Sequence, residues 1–203
     1  MISFKLILDS IFIPKLAFQR IITFEIKLSV LVEATIFIAL VNAIFSYISN
    51  FLIYSNSVKE ENLFYLYYEN ILSKPVLLVF LEAFKILLIT TLITYFGRFF
   101  GGKGSFINLL KCVVWIHFIL IFINFLLFLS IFLNIAFSGY LIMLANIWVI
   151  WVLSECAAKS HGFKSTFLVF VIGIIILIML IALILQVLNS NDIIFLERVG
   201  SNA

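Results

Sequence analysis

The sequence predicts an all-α fold, a polytopic membrane protein of five transmembrane helices preceded by an N-terminal interfacial amphipathic helix. Three observations carry this expectation. Of 203 residues, 65% are hydrophobic and only 11% charged, where soluble domains run nearer a quarter charged. The apolar residues fall in runs long enough to cross a bilayer, which takes about 20 of them. The cations collect in alternate connections between those runs. A globule this small could not hide so much apolar surface from water, so lipid is the solvent for most of the chain.

Residues 1–27 precede the first span. The opening run MISFKLILDSIFIPKLAF is apolar but broken by Lys5, Asp9 and Lys15. No small-residue cleavage site follows, so this segment is expected to remain in the mature protein. Pro14 suits the first turn of a helix. In that helix Lys15, Gln19, Arg20, Thr23 and Lys27 share a face, and Leu16, Phe18, Ile21 and Ile22 cover much of the rest. A helix so patterned lies in the headgroup plane with its cations toward anionic lipid.

The membrane region is read as residues 28–188. Its first span is 28–54, interrupted by Glu33 and Asn42. The next connection holds LFYLYY, Leu63 to Tyr68, whose polar-tipped rings suit the headgroup level. The second span, 75–97, opens at Pro75. From Phe106 to Ser154 the chain is apolar almost without pause, which as one helix would be about 70 Å long at ~1.5 Å per residue. That is more than twice the ~30 Å hydrocarbon core, so two spans are expected, 106–130 and 138–157. The break falls at Asn134 to Gly139, the available turn signal. The fifth span is 166–188, and residues 189–203 read as a polar tail without periodicity.

Charge gives the orientation. Lys5, Lys15, Arg20, Lys27, Arg98, Lys103, Lys111, Lys159 and Lys164 fall on one side, and Lys59, Lys74 and Arg198 on the other. The positive-inside rule then puts the N-terminus in the cytoplasm and the C-terminus outside.

Composition also narrows function. A net charge of +3 is too small to argue for nucleic acid. Cys112 and Cys156 stand far apart in apolar runs and have neither metal-ligand spacing nor a disulfide pattern. The sequence offers no Ser-His-Asp set, paired carboxylates, H-E-x-x-H or flavin loop, so no metal or cofactor is expected and catalysis is the weakest class. Glu33 and Glu155, near the inner span ends, are expected to meet Arg98, Lys103 or Lys111. His161, in the connection Ala158 to Lys164, is expected to be solvated.

The glycine-dense stretch GRFFGGKGSF, Gly97 to Phe106, resembles a phosphate loop at Gly97, Gly102 and Lys103. However, Gly104 stands where Ser or Thr should hold magnesium, and the stretch joins two spans rather than a strand and a helix. The glycines are therefore expected to serve a tight turn that needs positive φ. Arg98, Gly101, Gly102, Lys103, Gly104 and Ser105 would form a hinge contacting anionic headgroups or a partner.

GRFFGGKGSFINLLK (Gly97 to Lys111) resembles the central signature of the Yip-domain family, membrane proteins named for interaction with Ypt/Rab GTPases. IPKLAFQRI (Ile13 to Ile21) is similar to the Pro-containing amphipathic lead-in of bacterial members. IWVIWVLSECAAKSHGFKSTFLVF (Ile147 to Phe170) resembles their fourth-helix exit and fifth-helix start. The resemblance implies five membrane helices, a cytoplasmic N-terminus and a non-enzymatic integral membrane protein. The short region before the first span departs from eukaryotic members and implies a prokaryotic one, in a bacterial inner membrane.

A second set of candidates lies inside the spans. Glu82 and Lys85, at i and i+3, share a helix face and can pair. His117, Asn42 and Asn146 lie at broadly similar depths, as does Asn124. Such a cluster either fixes helix packing or forms a transport path. The expected role is a non-catalytic scaffold or adaptor whose cytoplasmic face meets membrane lipids and a protein partner or a second copy. The alternative is a small transporter or lipid-handling protein using the polar cluster.

Overall fold

The computed structural model describes residues 4–55, 74–131 and 135–200. Among them are seven helices and no strand: α1 (Phe4–Phe12), α2 (Pro14–Thr23), α3 (Leu28–Ser55), α4 (Pro75–Phe99), α5 (Phe106–Ile131), α6 (Ile135–His161) and α7 (Thr166–Gly200). The last five are each long and apolar enough to span a membrane. The aromatic stretch Leu63 to Tyr68 lies outside the described residues.

Helix α5 is the axis of the bundle. It touches α2, α3, α4 and α6, whereas α7 packs along α6. Two apolar clusters meet on it. One joins Leu31 and Ile38 of α3 and Ile86 of α4 to Leu110, Val113 and Val114 of α5. The other joins Ala17, Phe18 and Ile21 of α2 to Leu109, Cys112 and Ile116 of α5 and to Val152 and Cys156 of α6. The buried stripe of α3, Leu31, Thr35, Ile38, Ala39, Asn42 and Ala43, follows the helical repeat and includes small residues that let backbones approach. Buried hydroxyls on the contact faces bond back one turn: Thr35 to Leu31 O (2.8 Å), Thr90 to Ile86 O (2.8 Å) and Thr94 to Thr90 O (2.7 Å). That satisfies them without water.

Three boundaries differ from the sequence reading, one being the end of α6, at His161 rather than Ala157. Gly139 lies inside α6, which begins at Ile135; one glycine costs a helix only about 1 kcal/mol and does not end it. Helix α7 continues to Gly200, past the apolar run and through the tail. Between Leu188 and Gly200 there is neither proline nor glycine, and extending an existing helix is far easier than starting one.

The amphipathic helix α2 forms with Pro14 in its first turn, and Lys15, Gln19, Arg20 and Thr23 are exposed. Lys27 lies beyond its end. Its apolar face meets protein: Ala17, Phe18 and Ile21 are buried against α5 and α6. The preceding run is itself helical, and Asp9 of α1 pairs with Arg20 of α2 at 3.1 Å. Ser10 donates to Leu6 O (2.7 Å) and accepts from Trp115 Nε1 (2.8 Å), and Trp148 Nε1 donates to Ile11 O (3.4 Å). Trp115 is nine residues into α5, about 14 Å along it at ~1.5 Å per residue. The elbow between α1 and α2 therefore packs against α5 and α6 below their ends at the α2 side.

Candidate functional site

The end of the bundle carrying Arg98, Lys103, Lys159, Lys164 and helix α2 is called the basic end here. Two connections cross it, α4 to α5 and α6 to α7, and both are built the same way. Each begins with a glycine in the left-handed region, Gly101 (φ 82°) and Gly162 (φ 76°). Gly102 N–H reaches back to Gly97 O (2.8 Å) and Gly101 N–H to Arg98 O (2.9 Å), the double bond that closes a helix C-terminus. Phe163 N–H likewise reaches Ala158 O (2.9 Å). Each connection ends in a serine that opens the next helix: Ser105 Oγ accepts from Asn108 N–H (3.3 Å), and Ser165 Oγ from Leu168 N–H (3.2 Å).

His161 locks the two connections together. Its ring is 4% exposed, not solvated. Gly104 N–H donates to Nδ1 (3.0 Å), Nε2 faces Ile93 O (3.2 Å), and Lys103 N–H donates to the His161 carbonyl (3.2 Å). An acceptor at Nδ1 and a carbonyl facing Nε2 assign the neutral tautomer protonated at Nε2. Phe163 stacks on the ring at 5.5 Å between centroids, and Arg98 Nε donates to Gly104 O (3.3 Å) across the loop.

The glycines take on a different meaning from the expected one. In the 97–106 stretch only Gly101 has positive φ. Gly97, Gly102 and Gly104 are required by space. A Cβ on Gly97 would overlap the imidazole; on Gly102 it would lie 2.5 Å from Nδ1, and on Gly104 2.8 Å from Cε1. The partner ring is 57 to 64 residues away in sequence, so no local motif reveals it. A signal was present nonetheless: a turn needing one left-handed residue carries three more glycines than that need explains. The phosphate-loop resemblance ends at the same place. The amides of residues 101 to 104 are all bonded within the protein, leaving none to cradle a phosphate.

Other expected partners part company. Lys111 meets no carboxylate; its Nζ donates to Phe24 O (2.7 Å) and Ile22 O (3.4 Å), capping the carbonyl end of α2. Glu155 is buried and accepts from Thr166 Oγ1 (3.1 Å). Glu33 is exposed. Inside the membrane, Glu82 and Lys85 do pair. Only Glu82, with a side chain 16% exposed, turns inward; Lys85 is 48% exposed on the bundle surface. Asn124 Nδ2 donates to Asn42 Oδ1 (3.1 Å), joining α5 to α3. His117 is buried with Nδ1 2.9 Å from Val113 O on its own helix. Asn146 is exposed on α6 and stands apart. Among the described residues no group of three His, Cys, Asp or Glu is placed to hold a metal.

Five apolar helices around one axis, with connections clasped at one end, define a polytopic integral membrane protein. The model of the Yip1 domain matches residues 8–186, and the chain belongs to that family. Comparison with curated proteins and with solved structures gave no match.

Proposed function

We propose that this protein is a non-catalytic membrane scaffold or adaptor. Its basic end, comprising α2, the 100–105 loop and the 162–165 loop, faces the cytoplasm of a bacterial inner membrane. There it engages anionic headgroups and a protein partner, or a second copy. The observation that carries this reading is the clasp. The imidazole and the loop amides, the groups best suited to chemistry or phosphate binding, are consumed in fixing the shape of one surface. That surface presents Arg98 and Lys103, both exposed. A surface held rigid before contact loses less entropy on binding. The polar groups inside the bundle split into local pairs, which favours packing over a transport path.

The test has two arms. Cys112 and Cys156 are fully buried, out of reach of an impermeant reagent, so a single reactive cysteine can be placed at 103 without replacing them. An impermeant thiol reagent is expected to leave it unlabelled in intact cells and to label it in inverted vesicles; labelling from outside refutes the orientation. A photo-crosslinker at 103 is expected to trap one defined partner, lost on Arg98→Glu with folding retained. Ion or solute flux through reconstituted protein, abolished by Glu82→Gln, would instead establish a transporter.

A further inference from the structure

Because α7 packs along α6, a lateral groove opens between α7 and α4. It has a volume of about 590 Å³ and is walled by Ile89, Ile93 and Phe96 of α4, Leu153 of α6, and Val169 and Ile176 of α7. Lys164, at its mouth, is the only charged residue in the lining among the described residues. From there the groove follows α7 to Leu180, fourteen residues beyond Thr166, or about 21 Å at ~1.5 Å per residue. It thus runs from the basic end toward the middle of a hydrocarbon layer ~30 Å thick.

On the other side of Phe163 and Lys164 lies a second cavity of about 440 Å³. Its polar lining is Lys15 and Gln19 of α2, Lys159 of α6, Lys164, and the hydroxyl residues Thr23 and Thr166. No acidic residue lines it. Behind this wall the buried Glu155 accepts a hydrogen bond from Thr166 Oγ1. Among the described residues the ion pairs are Asp9 with Arg20 and Glu82 with Lys85, so none of the three lysines is held in an ion pair. The two cavities share Phe163 and Lys164, so a cationic chamber and an apolar channel meet at one residue pair.

We propose that these cavities form one binding site for an anionic glycerophospholipid. The headgroup phosphate sits among Lys15, Lys159 and Lys164, and an acyl chain lies in the α4–α6–α7 groove. This deepens the headgroup contact proposed above and rests on that reading. The lining favours a lipid chain over a peptide. Apart from Ser154, Lys164 and Ser165 the side chains of the groove are apolar, so an acyl chain is matched along its length while a peptide's polar backbone would find few partners. The charge favours an anionic lipid over a zwitterionic one, since each lysine near the surface adds attraction to anionic headgroups.

The test uses the full-length protein, delipidated in mild detergent and examined by native mass spectrometry. Phosphatidylglycerol is titrated against phosphatidylcholine with the same chains, and against glycerol phosphate. One phosphatidylglycerol per protein is expected, with phosphatidylcholine and glycerol phosphate each bound at least tenfold more weakly. Neutralising all three lysines (Lys15→Gln, Lys159→Gln, Lys164→Gln) is expected to weaken phosphatidylglycerol about a hundredfold. Gly173 lines the groove, and a Cβ there meets open space. Gly173→Leu should therefore fold normally, block the channel and weaken the lipid about tenfold. Equal affinity for the two lipids overturns the headgroup assignment. Unchanged binding in Gly173→Leu overturns the acyl assignment. A dimer blocked by Gly173→Leu, with no lipid dependence, would give the groove to a second copy. If the partner trapped at position 103 persists while lipid binding fails, the scaffold reading stands and the lipid site falls.

Discussion

At the basic end, two connections grip each other through an imidazole whose nitrogens both meet backbone groups. Three glycines there leave no room for another atom. Along α7, no residue from Thr166 to Leu183 is buried. The difference follows from the solvent. Lipid tails are as apolar as leucine, so apolar surface alone does not drive helices together; close packing and polar bonds do. Where the chain supplies glycines and a polar hub, the fit is fixed. Where it supplies isoleucine and leucine, the helix remains separable and leaves a groove.

The sharpest way to break the comparison is to fill the clasp. Gly97→Leu should cost about 3 kcal/mol or more and deplete folded protein from the membrane. The deeper core should respond as strongly: Ile116→Ala, at a residue 0% exposed, should cost about 2–5 kcal/mol. The milder Gly97→Ala separates space from backbone geometry. Alone it should destabilise by about 1–3 kcal/mol. In a His161→Ala background the overlap is gone, and alanine should stabilise α4 by about 0.5–1 kcal/mol over glycine. Gly101→Ala, at φ 82°, should not be rescued in that background. Thermal melts in detergent read all of these variants. A Gly97→Ala penalty unchanged without the imidazole would mean that the clasp is not steric.

His161→Ala alone should cost about 2 kcal/mol, because it strands the Gly104 amide in a buried place and removes the second contact to the Ile93 carbonyl. His161→Gln tests whether a shorter amide can restore either bond. Recovery of more than half the loss would show that bonding, rather than ring stacking on Phe163, holds the loops.

These expectations also mark what a linear reading can reach. The spans were legible because about 20 apolar residues announce themselves wherever they stand, and Pro14 and Pro75 opened the helices they were expected to open. The pairing of Glu82 with Lys85 was legible because both lie on one helix. What was hidden depends on which faces meet. Nothing near Gly97 points to residue 161, and nothing near Lys111 points to the carbonyl end of α2. The outward position of Asn146 depends on the rotation of α6, whose apolar residues surround it and leave no polar stripe to set a facing direction.

Within the membrane the Glu82–Lys85 pair is intermediate between the two regions. Glu82 turns inward while Lys85 lies half-exposed. A fully buried pair loses about 3–5 kcal/mol when one partner is removed. Lys85 is exposed to lipid rather than to water, so the pair gains nothing from solvent screening, and about 2.5–3.5 kcal/mol is expected for Glu82→Gln or Lys85→Met. The double change should lose less than the sum of the singles, because neither partner is then left uncompensated. Additive losses would show that the two residues do not couple.

The smallest effect is expected on α7, and it sharpens the comparison most directly. Ile178 is 60% exposed, so in the membrane its side chain touches mainly lipid. Trimming it to alanine exchanges one apolar neighbour for another and leaves no cavity, so the loss should stay below about 0.5 kcal/mol. The same isoleucine-to-alanine change at Ile116 creates a void that close-packed neighbours cannot fill. The two melts, run on identically prepared protein, compare one substitution in two surroundings. A loss at Ile178 approaching that at Ile116 would mean that α7 is covered by protein in the membrane, and the groove beside it would then belong to a neighbouring chain rather than to lipid.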